Sequence, residues 1–98
     1  MKTKTEPIKL KVGDRVRWGS QAGGYHMVKE GTVKIVVPPD IRPYNLLASM
    51  DLHNLRTHAI DPRTMARKTE SYIIEVSGKG KAMGQLYWPL VSKLEKID

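Results

Sequence analysis

The sequence predicts a small, mainly β domain that carries one helical insertion. Its 98 residues are 40% apolar, which suits a single folded domain with a modest core. Apolar and polar side chains alternate with a period of two in several short runs, the pattern of strands that bury one face. Glycine, proline and aspartate separate these runs and predict the turns between the strands.

The chain enters the domain through an arm and a bend. Residues 1–7 are predicted to form a flexible basic arm that ends at a proline. Glycine and aspartate at positions 13–14 predict a bend. The run RVRW at 15–18 predicts the first strand, with its valine and tryptophan inward and Arg15 and Arg17 outward.

A loop and a second strand follow. The glycine-rich segment 19–30 shows no stable periodicity and is predicted to be a mobile loop. The run GTVKIVV at 31–37 predicts the second strand, with Val33, Ile35 and Val37 on one face. Two prolines end this strand, because proline cannot donate to the hydrogen-bond ladder.

Residues 38–70 differ in character and predict an insertion that lies on the sheet. A first helix is predicted at 45–59, where apolar residues recur at helical spacing. These apolar residues are Ala48, Leu52, Leu55 and Ala59. An aspartate–proline pair predicts a second short helix that ends at Arg67. The helical insertion is therefore expected around residues 45–67.

The last part of the chain predicts three more strands. The run SYIIEV at 71–76 is rich in β-branched residues and predicts the third strand. The GKGK sequence at 78–81 predicts a hairpin turn, because glycine adopts positive φ without strain. Residues 85–88 predict the fourth strand, residues 89–92 a turn of 3₁₀ helix, and residues 93–97 a short closing strand.

The order of these elements predicts the architecture. Five short strands, a long loop after the first and a tight helical turn before the last are typical of an SH3-like barrel. Closure into a barrel removes exposed edges from so small a sheet. We therefore predict a single five-stranded SH3-like barrel at residues 8–98, with the insertion at 38–70.

Four sequence motifs resemble one protein family. VGDRVRW followed by GTVKIVV, and ESYIIEV followed by YWPLVSKL, are similar to small bacterial proteins of the hypervirulence-associated Tudor-domain type. The resemblance covers residues 8–37 and 71–97 and implies a Tudor-like barrel without known catalytic residues. It implies no biochemical role, because that family is uncharacterised in function. Residues 38–70 depart from the family's pattern, which has a short connection there.

Charge and composition narrow the function classes. The net charge of +7 favours polyanionic partners, because lysine and arginine release counterions when they contact phosphates. The absence of cysteine excludes disulfides and thiolate metal sites and fits a reducing compartment. The sequence shows no signal-peptide pattern, and no window approaches the roughly 18 apolar residues of a membrane span. A cytoplasmic protein is expected.

Candidate residues for metal binding and catalysis are few. His26, His53 and His58 do not follow the spacing of a shared metal site. No serine lies in a nucleophile-elbow motif, and there is no cysteine nucleophile. Neither glycine-rich stretch has the spacing of a phosphate-binding loop. We therefore expect no metal, no cofactor and no enzymatic activity.

The leading functional hypothesis rests on basic and aromatic side chains that are predicted to face outward. The cations would contact the phosphates of DNA or RNA, while tyrosines stack on bases. The predicted nucleic-acid-binding residues are Arg15, Arg17, Lys34, Lys79, Lys81, Tyr25 and Tyr87. The alternative interpretation of the exposed arginines is that they keep an edge strand soluble.

A protein-interaction module is the second hypothesis. Trp18 and Trp88 are predicted to lie in the core, with Tyr87 on the opposite face. Either an aromatic groove of the barrel or the predicted helix at 45–59 would bind a peptide or a second copy of the chain. DNA, RNA and a protein thus remain the possible partners, and no membrane partner is expected.

Overall fold

A computed structural model of the protein describes residues 8–22, 25–50, 55–57, 60, 63–77 and 84–97, with only the backbone at 20–22, 25–27 and 55–56. The predicted arm at 1–7 lies outside these residues, as does the GKGK sequence at 78–81. No helix in the described ranges is long and apolar enough to cross a membrane.

The described chain forms six strands, which join in one sheet, and two short helical segments. In chain order they are β1 (Arg15–Ala22), β2 (Tyr25–Val37), α1 (Pro43–Leu47), β3 (Leu55–Arg56), β4 (Ser71–Val76), β5 (Gly84–Tyr87), a 3₁₀ turn (Val91–Lys93) and β6 (Glu95–Ile97). The strand order is β3-β5-β4-β2-β1-β6. Five strands pair antiparallel, and β3 joins β5 in parallel at one edge. The prediction of a mainly β fold is confirmed.

The described strands form an open sheet rather than a closed barrel. β3 lies at one edge and β6 at the other, and the two do not pair with each other. Both edge strands are short, with two residues in β3 and three in β6. Short edge strands expose few unpaired backbone groups, which limits edge-to-edge association without closure.

The β1–β2 hairpin is longer than the sequence predicts. Its pairing runs from Arg15 opposite Thr32 to Ala22 opposite Tyr25. The predicted mobile loop at 19–30 is therefore wrong for the residues that the structure describes. Cross-strand backbone hydrogen bonds hold such a ribbon whatever its side chains are. Apolar alternation consequently does not reveal it.

A β-bulge at Lys34 divides β2 between the two faces of the sheet. The pairing with β4 shifts register between Val33 and Ile35, so Lys34 is the extra residue. The extra residue reverses the alternation of side chains beyond it. Val33 packs in one hydrophobic cluster, and Ile35 and Val37 pack in another. The prediction that these three residues share one face is wrong.

Two hydrophobic clusters cover the two faces of the sheet. The first contains Leu10, Val16, Trp18, Val33, Tyr72, Ile74 and Leu94. The second contains Val37, Leu47, Ile60, Ile73 and Leu86. Tyr72 and Ile74 alternate with Ile73 along β4, which is therefore buried on both faces. Leu47 and Ile60 come from the insertion, so the insertion covers the second face where it carries Val37, Ile73 and Leu86.

The described part of the insertion contains much less helix than predicted. α1 ends at Leu47, β3 lies inside the first predicted helix, and residues 63–67 are not helical. The predicted helical insertion around 45–67 is therefore wrong for the residues that the structure describes in that range. At the end of α1 the Ser49 hydroxyl donates to the Leu46 carbonyl at 3.0 Å. A side chain that uses a backbone acceptor in this way competes with helix continuation.

Arg67 fastens the end of the insertion to the connection after β5. Its guanidinium donates to the carbonyl oxygens of Pro89 and Trp88, each at 2.9 Å. The same group lies 3.6 Å from the centroid of the Trp88 ring, a cation–π contact. The Trp88 indole N–H donates to the buried Ser71 hydroxyl at 2.8 Å. Burial lowers the pKa of Arg67 below its usual value, but the guanidinium stays charged.

The segment before β1 is fixed by the predicted bend and by a buried tyrosine. Gly13 has a φ of 98°, and its N–H donates to the carbonyl of Val33 at 2.9 Å. The Tyr72 hydroxyl accepts the Leu10 N–H at 3.1 Å and donates to Glu70 at 2.8 Å. Burial raises the pKa of Tyr72, whereas the hydrogen bond from Tyr72 lowers the pKa of Glu70.

Candidate interaction surfaces

Arg15 and Arg17 lie on the exposed side of β1, opposite the buried Val16 and Trp18, as the alternation predicts. Their side chains are about half exposed, at 50% and 47%. The Arg17 Nε donates to Glu95 of β6 at 2.7 Å. This hydrogen bond lowers the pKa of Glu95, so the carboxylate is ionised at neutral pH.

Arg15 and Lys34 also face acidic side chains. The Arg15 guanidinium lies 3.9 Å from Glu30 and donates to the Thr32 hydroxyl at 3.1 Å. The Lys34 ammonium lies 3.4 Å from Glu75 of β4. We call these residues the charged face: Arg15, Arg17, Lys34, Glu30, Glu75 and Glu95. Three cations meet three carboxylates there, so the face carries both signs of charge.

An aromatic corner lies where the β1–β2 ribbon leaves the sheet. The rings of Trp18 and Tyr87 are 5.9 Å apart and meet edge to face at 61°. The Lys29 ammonium lies 5.6 Å from the Tyr87 ring centroid. Tyr87 is half-buried and packs against the first cluster, so the prediction that it faces outward is wrong. The outward interpretation fails because both faces of the sheet are covered here.

The remaining predicted site residues lie partly or wholly outside the described part. Tyr25 begins β2, and its side chain is outside that part. Lys79 and Lys81 are wholly outside it. The structure therefore brings Arg15, Arg17 and Lys34 together on one face and places Tyr87 elsewhere. Among the residues described, no three metal-ligating side chains gather into a site.

Sequence reasoning missed a group of exposed apolar side chains on the insertion, which we call the insertion patch. Its members are Ile41, Tyr44, Met50 and Met65, with exposures of 38%, 40%, 37% and 68%. The other described apolar residues with such exposure, Val12, Val28 and Leu90, lie outside the insertion. The sequence could have indicated the patch, because its residues do not belong to the apolar helical stripe that was predicted to be buried.

Three of the patch members lie in or next to α1, and the fourth is connected to its start through Arg42. Ile41 and Tyr44 lie at its start and Met50 lies beyond its end, where the Met50 N–H donates to Leu47 at 3.0 Å. A five-residue helix spans only about 8 Å. The Arg42 guanidinium reaches the Met65 sulfur at 3.8 Å, which brings Met65 to the start of α1.

Comparison with known proteins does not assign the chain to a family. No protein-family model, curated protein or solved structure matches the chain. The resemblance to the Tudor-type proteins thus stays a prediction from the four motifs. The conclusions about function rest on the insertion patch and the charged face.

Proposed function

We propose that the protein is a non-enzymatic binding module of the SH3-like (Tudor-like) type and that its partner is another protein. The strand order β5-β4-β2-β1-β6 supports this type, because the last strand returns to pair with the first. The 3₁₀ turn directly before β6 also supports it. The insertion adds the surface through which the module binds.

The insertion patch is the observation that carries this proposal. One side of the insertion buries Leu47 and Ile60 against the sheet, while four large apolar side chains of the same segment stay exposed. Clustered exposed apolar side chains mark protein-interaction sites far more often than scattered ones do. Methionine and tyrosine are also enriched where protein surfaces meet.

The charged face supports a different partner less well. A phosphate that approaches Arg15, Arg17 or Lys34 also approaches the carboxylate beside each of them. Exposed ion pairs are individually weak and can be rearranged. The neighbouring negative charges nevertheless remain and reduce the attraction for a polyanion.

A capture experiment tests the proposed function. Immobilised full-length protein is incubated with an extract of cells that express it, and retained proteins are quantified by mass spectrometry. We expect the double variant Tyr44→Ser/Met65→Ser to lose the specific partner by about tenfold or more, because apolar anchors dominate binding energy.

The matched control is Val12→Ser/Leu90→Ser, which removes two exposed apolar side chains outside the insertion. This control should retain the partner at the wild-type level. Circular dichroism confirms that all three proteins are folded. If all three proteins capture the same set, the insertion patch is not the binding surface.

Nucleic-acid binding is a second candidate, favoured by the net charge of +7 and the three cations of the charged face. Fluorescence anisotropy with labelled DNA and RNA across a salt series measures it. This candidate predicts sub-micromolar binding with a steep salt dependence. It also predicts that Arg15→Ala/Arg17→Ala weakens binding without lowering thermal stability. An absence of binding at about 50 mM salt excludes this candidate.

A further inference from the structure

The basic side chains beside the insertion patch differ from those of the charged face. Arg15, Arg17 and Lys34 each face a carboxylate. The Arg42 guanidinium instead contacts the thioether of Met65 at 3.8 Å. A thioether is a weak acceptor, and a guanidinium has five N–H donors. Arg42 therefore presents donor capacity for a carboxylate at the edge of an apolar surface.

A second cation lies in the same region of the insertion. Lys68 is exposed and follows Met65 by three residues. The described carboxylate nearest in sequence to Arg42 is Asp40, whose backbone N–H donates to the Arg67 carbonyl at 2.8 Å. The patch thus combines apolar side chains with the Arg42 guanidinium at Met65.

From this combination we infer that the insertion patch binds an acidic, apolar peptide segment of a partner protein. This inference rests on the proposed function and names the chemistry of its partner. Apolar side chains of the segment pack on Tyr44 and Met65, and an aspartate or glutamate beside them accepts from Arg42. Methionine adapts its shape to different apolar side chains, which suits such a surface.

A second copy of the chain fits this surface poorly. Each copy carries a net charge of +7, so two copies repel each other at low salt. A symmetric contact through the patch also brings the two Arg42 side chains towards one another. An acidic segment has the complementary charge.

A membrane surface also fits less well. Ile41, Tyr44 and Met50 are more than half covered by the protein itself, with exposures of 38%, 40% and 37%. Only Met65, with an exposure of 68%, projects further, and a single side chain offers little apolar area to the acyl region of a bilayer. Packing against the side chains of a peptide needs only a shallow surface.

Selection from a random peptide display library tests the inference without knowledge of the partner. Full-length wild-type protein is the bait, and peptides that also bind Tyr44→Ser/Met65→Ser are removed. We expect the enriched peptides to carry leucine, phenylalanine or similar residues next to aspartate or glutamate. Enrichment of basic or uncharged peptides, or no enrichment, overturns the inference.

Charge-matched variants separate a local contact from the overall positive charge. Arg42→Glu and Lys93→Glu change the net charge equally, and Lys93 is exposed on the 3₁₀ turn that packs against the first cluster. In fluorescence anisotropy with the most enriched peptide, we expect Arg42→Glu to weaken binding about tenfold or more. Lys93→Glu should retain the wild-type affinity within about twofold. Equal weakening by both variants contradicts the inference.

Two further results distinguish the failure of this inference from that of the proposed function. If the capture experiment finds a patch-dependent partner but selection yields no acidic peptides, the proposed function stands and the inference is wrong. If wild-type protein instead binds vesicles of phosphatidylcholine with phosphatidylglycerol, and Arg42→Glu abolishes that binding, a membrane replaces the peptide and the inference is wrong.

Discussion

Replacing Gly31 with alanine is expected to destabilise the fold strongly. A Cβ atom at this position would lie 2.5 Å from the Glu75 carbonyl oxygen and 2.7 Å from the Ile74 Cγ2. Gly31 is buried opposite Val16 in β1, next to the pairing of β2 with β4. The close atom is backbone, so the added methyl group separates two strands rather than displacing a flexible side chain.

The expected loss for Gly31→Ala is about 3 kcal/mol of unfolding free energy, the upper end of the usual range for overpacking. For a domain of this size, that corresponds to a fall in Tm of roughly 10–20 °C. Differential scanning calorimetry measures it directly. Thr32→Ala is the control, because Thr32 is only half-buried and its hydroxyl bonds the exposed Arg15. A wild-type Tm in Gly31→Ala contradicts so close an approach of β4.

Replacing Arg67 with alanine is expected to loosen the insertion from the sheet. The change removes two hydrogen bonds to the Trp88 and Pro89 carbonyls and one cation–π contact with Trp88. Hydrogen bonds from a charged donor contribute about 1.5–3 kcal/mol each when partly buried, and a cation–π contact adds about 0.5–2 kcal/mol. Because these contributions are not additive, we expect a net loss of about 3 kcal/mol.

Lysine should restore less than half of this loss. Its ammonium cannot donate in a planar fork to two carbonyls and stack on the indole at the same time. Urea unfolding followed by tryptophan fluorescence reports the stability, with a signal that combines Trp18 and Trp88. Lys68→Ala, at the adjacent exposed position, should leave the urea midpoint unchanged. If Arg67→Lys is as stable as the wild type, the paired hydrogen bonds and the stacking on Trp88 do not stabilise the fold.

The two variants affect the proposed binding surface differently. Gly31 lies in β2, whose pairing with β4 supports both clusters. The Arg67 side chain, in contrast, fastens the insertion to Trp88 and Pro89 and does not take part in strand pairing. At temperatures where both variants remain folded, we therefore expect Arg67→Ala to impair partner capture through the insertion patch more than Gly31→Ala does.

Several elements could be predicted because local physics determines them. The run SYIIEV forms β4 at the predicted residues, because β-branched side chains favour a buried strand on either face. Gly13 adopts positive φ at the predicted bend, where other residues would be strained. Proline and short apolar runs also placed β5, the 3₁₀ turn and β6 within a few residues of their observed bounds.

Other elements depend on partners that are distant in the chain. The bulge at Lys34 exists only in the pairing with β4, and it changes which core receives Ile35. The insertion forms β3, which pairs with β5, inside the range predicted as a long helix. The helical spacing of its apolar residues does not reveal such a strand. Local propensity for helix is weak in short segments, so burial against the sheet decides between the alternatives.

The sequence alone determined a small, mainly β domain of basic net charge, the turn at Gly13 and most strand positions, since these follow from local conformational preference and alternation. It also determined that Arg15 and Arg17 are exposed, because they alternate with buried Val16 and Trp18. Only the tertiary structure decided what these arginines meet. Glu95 approaches Arg17 from 78 residues away, and this long-range pairing changes a predicted basic strand into a face of mixed charge. Likewise, only packing distinguished the buried side of the insertion from the exposed apolar patch, because the same residue types serve both.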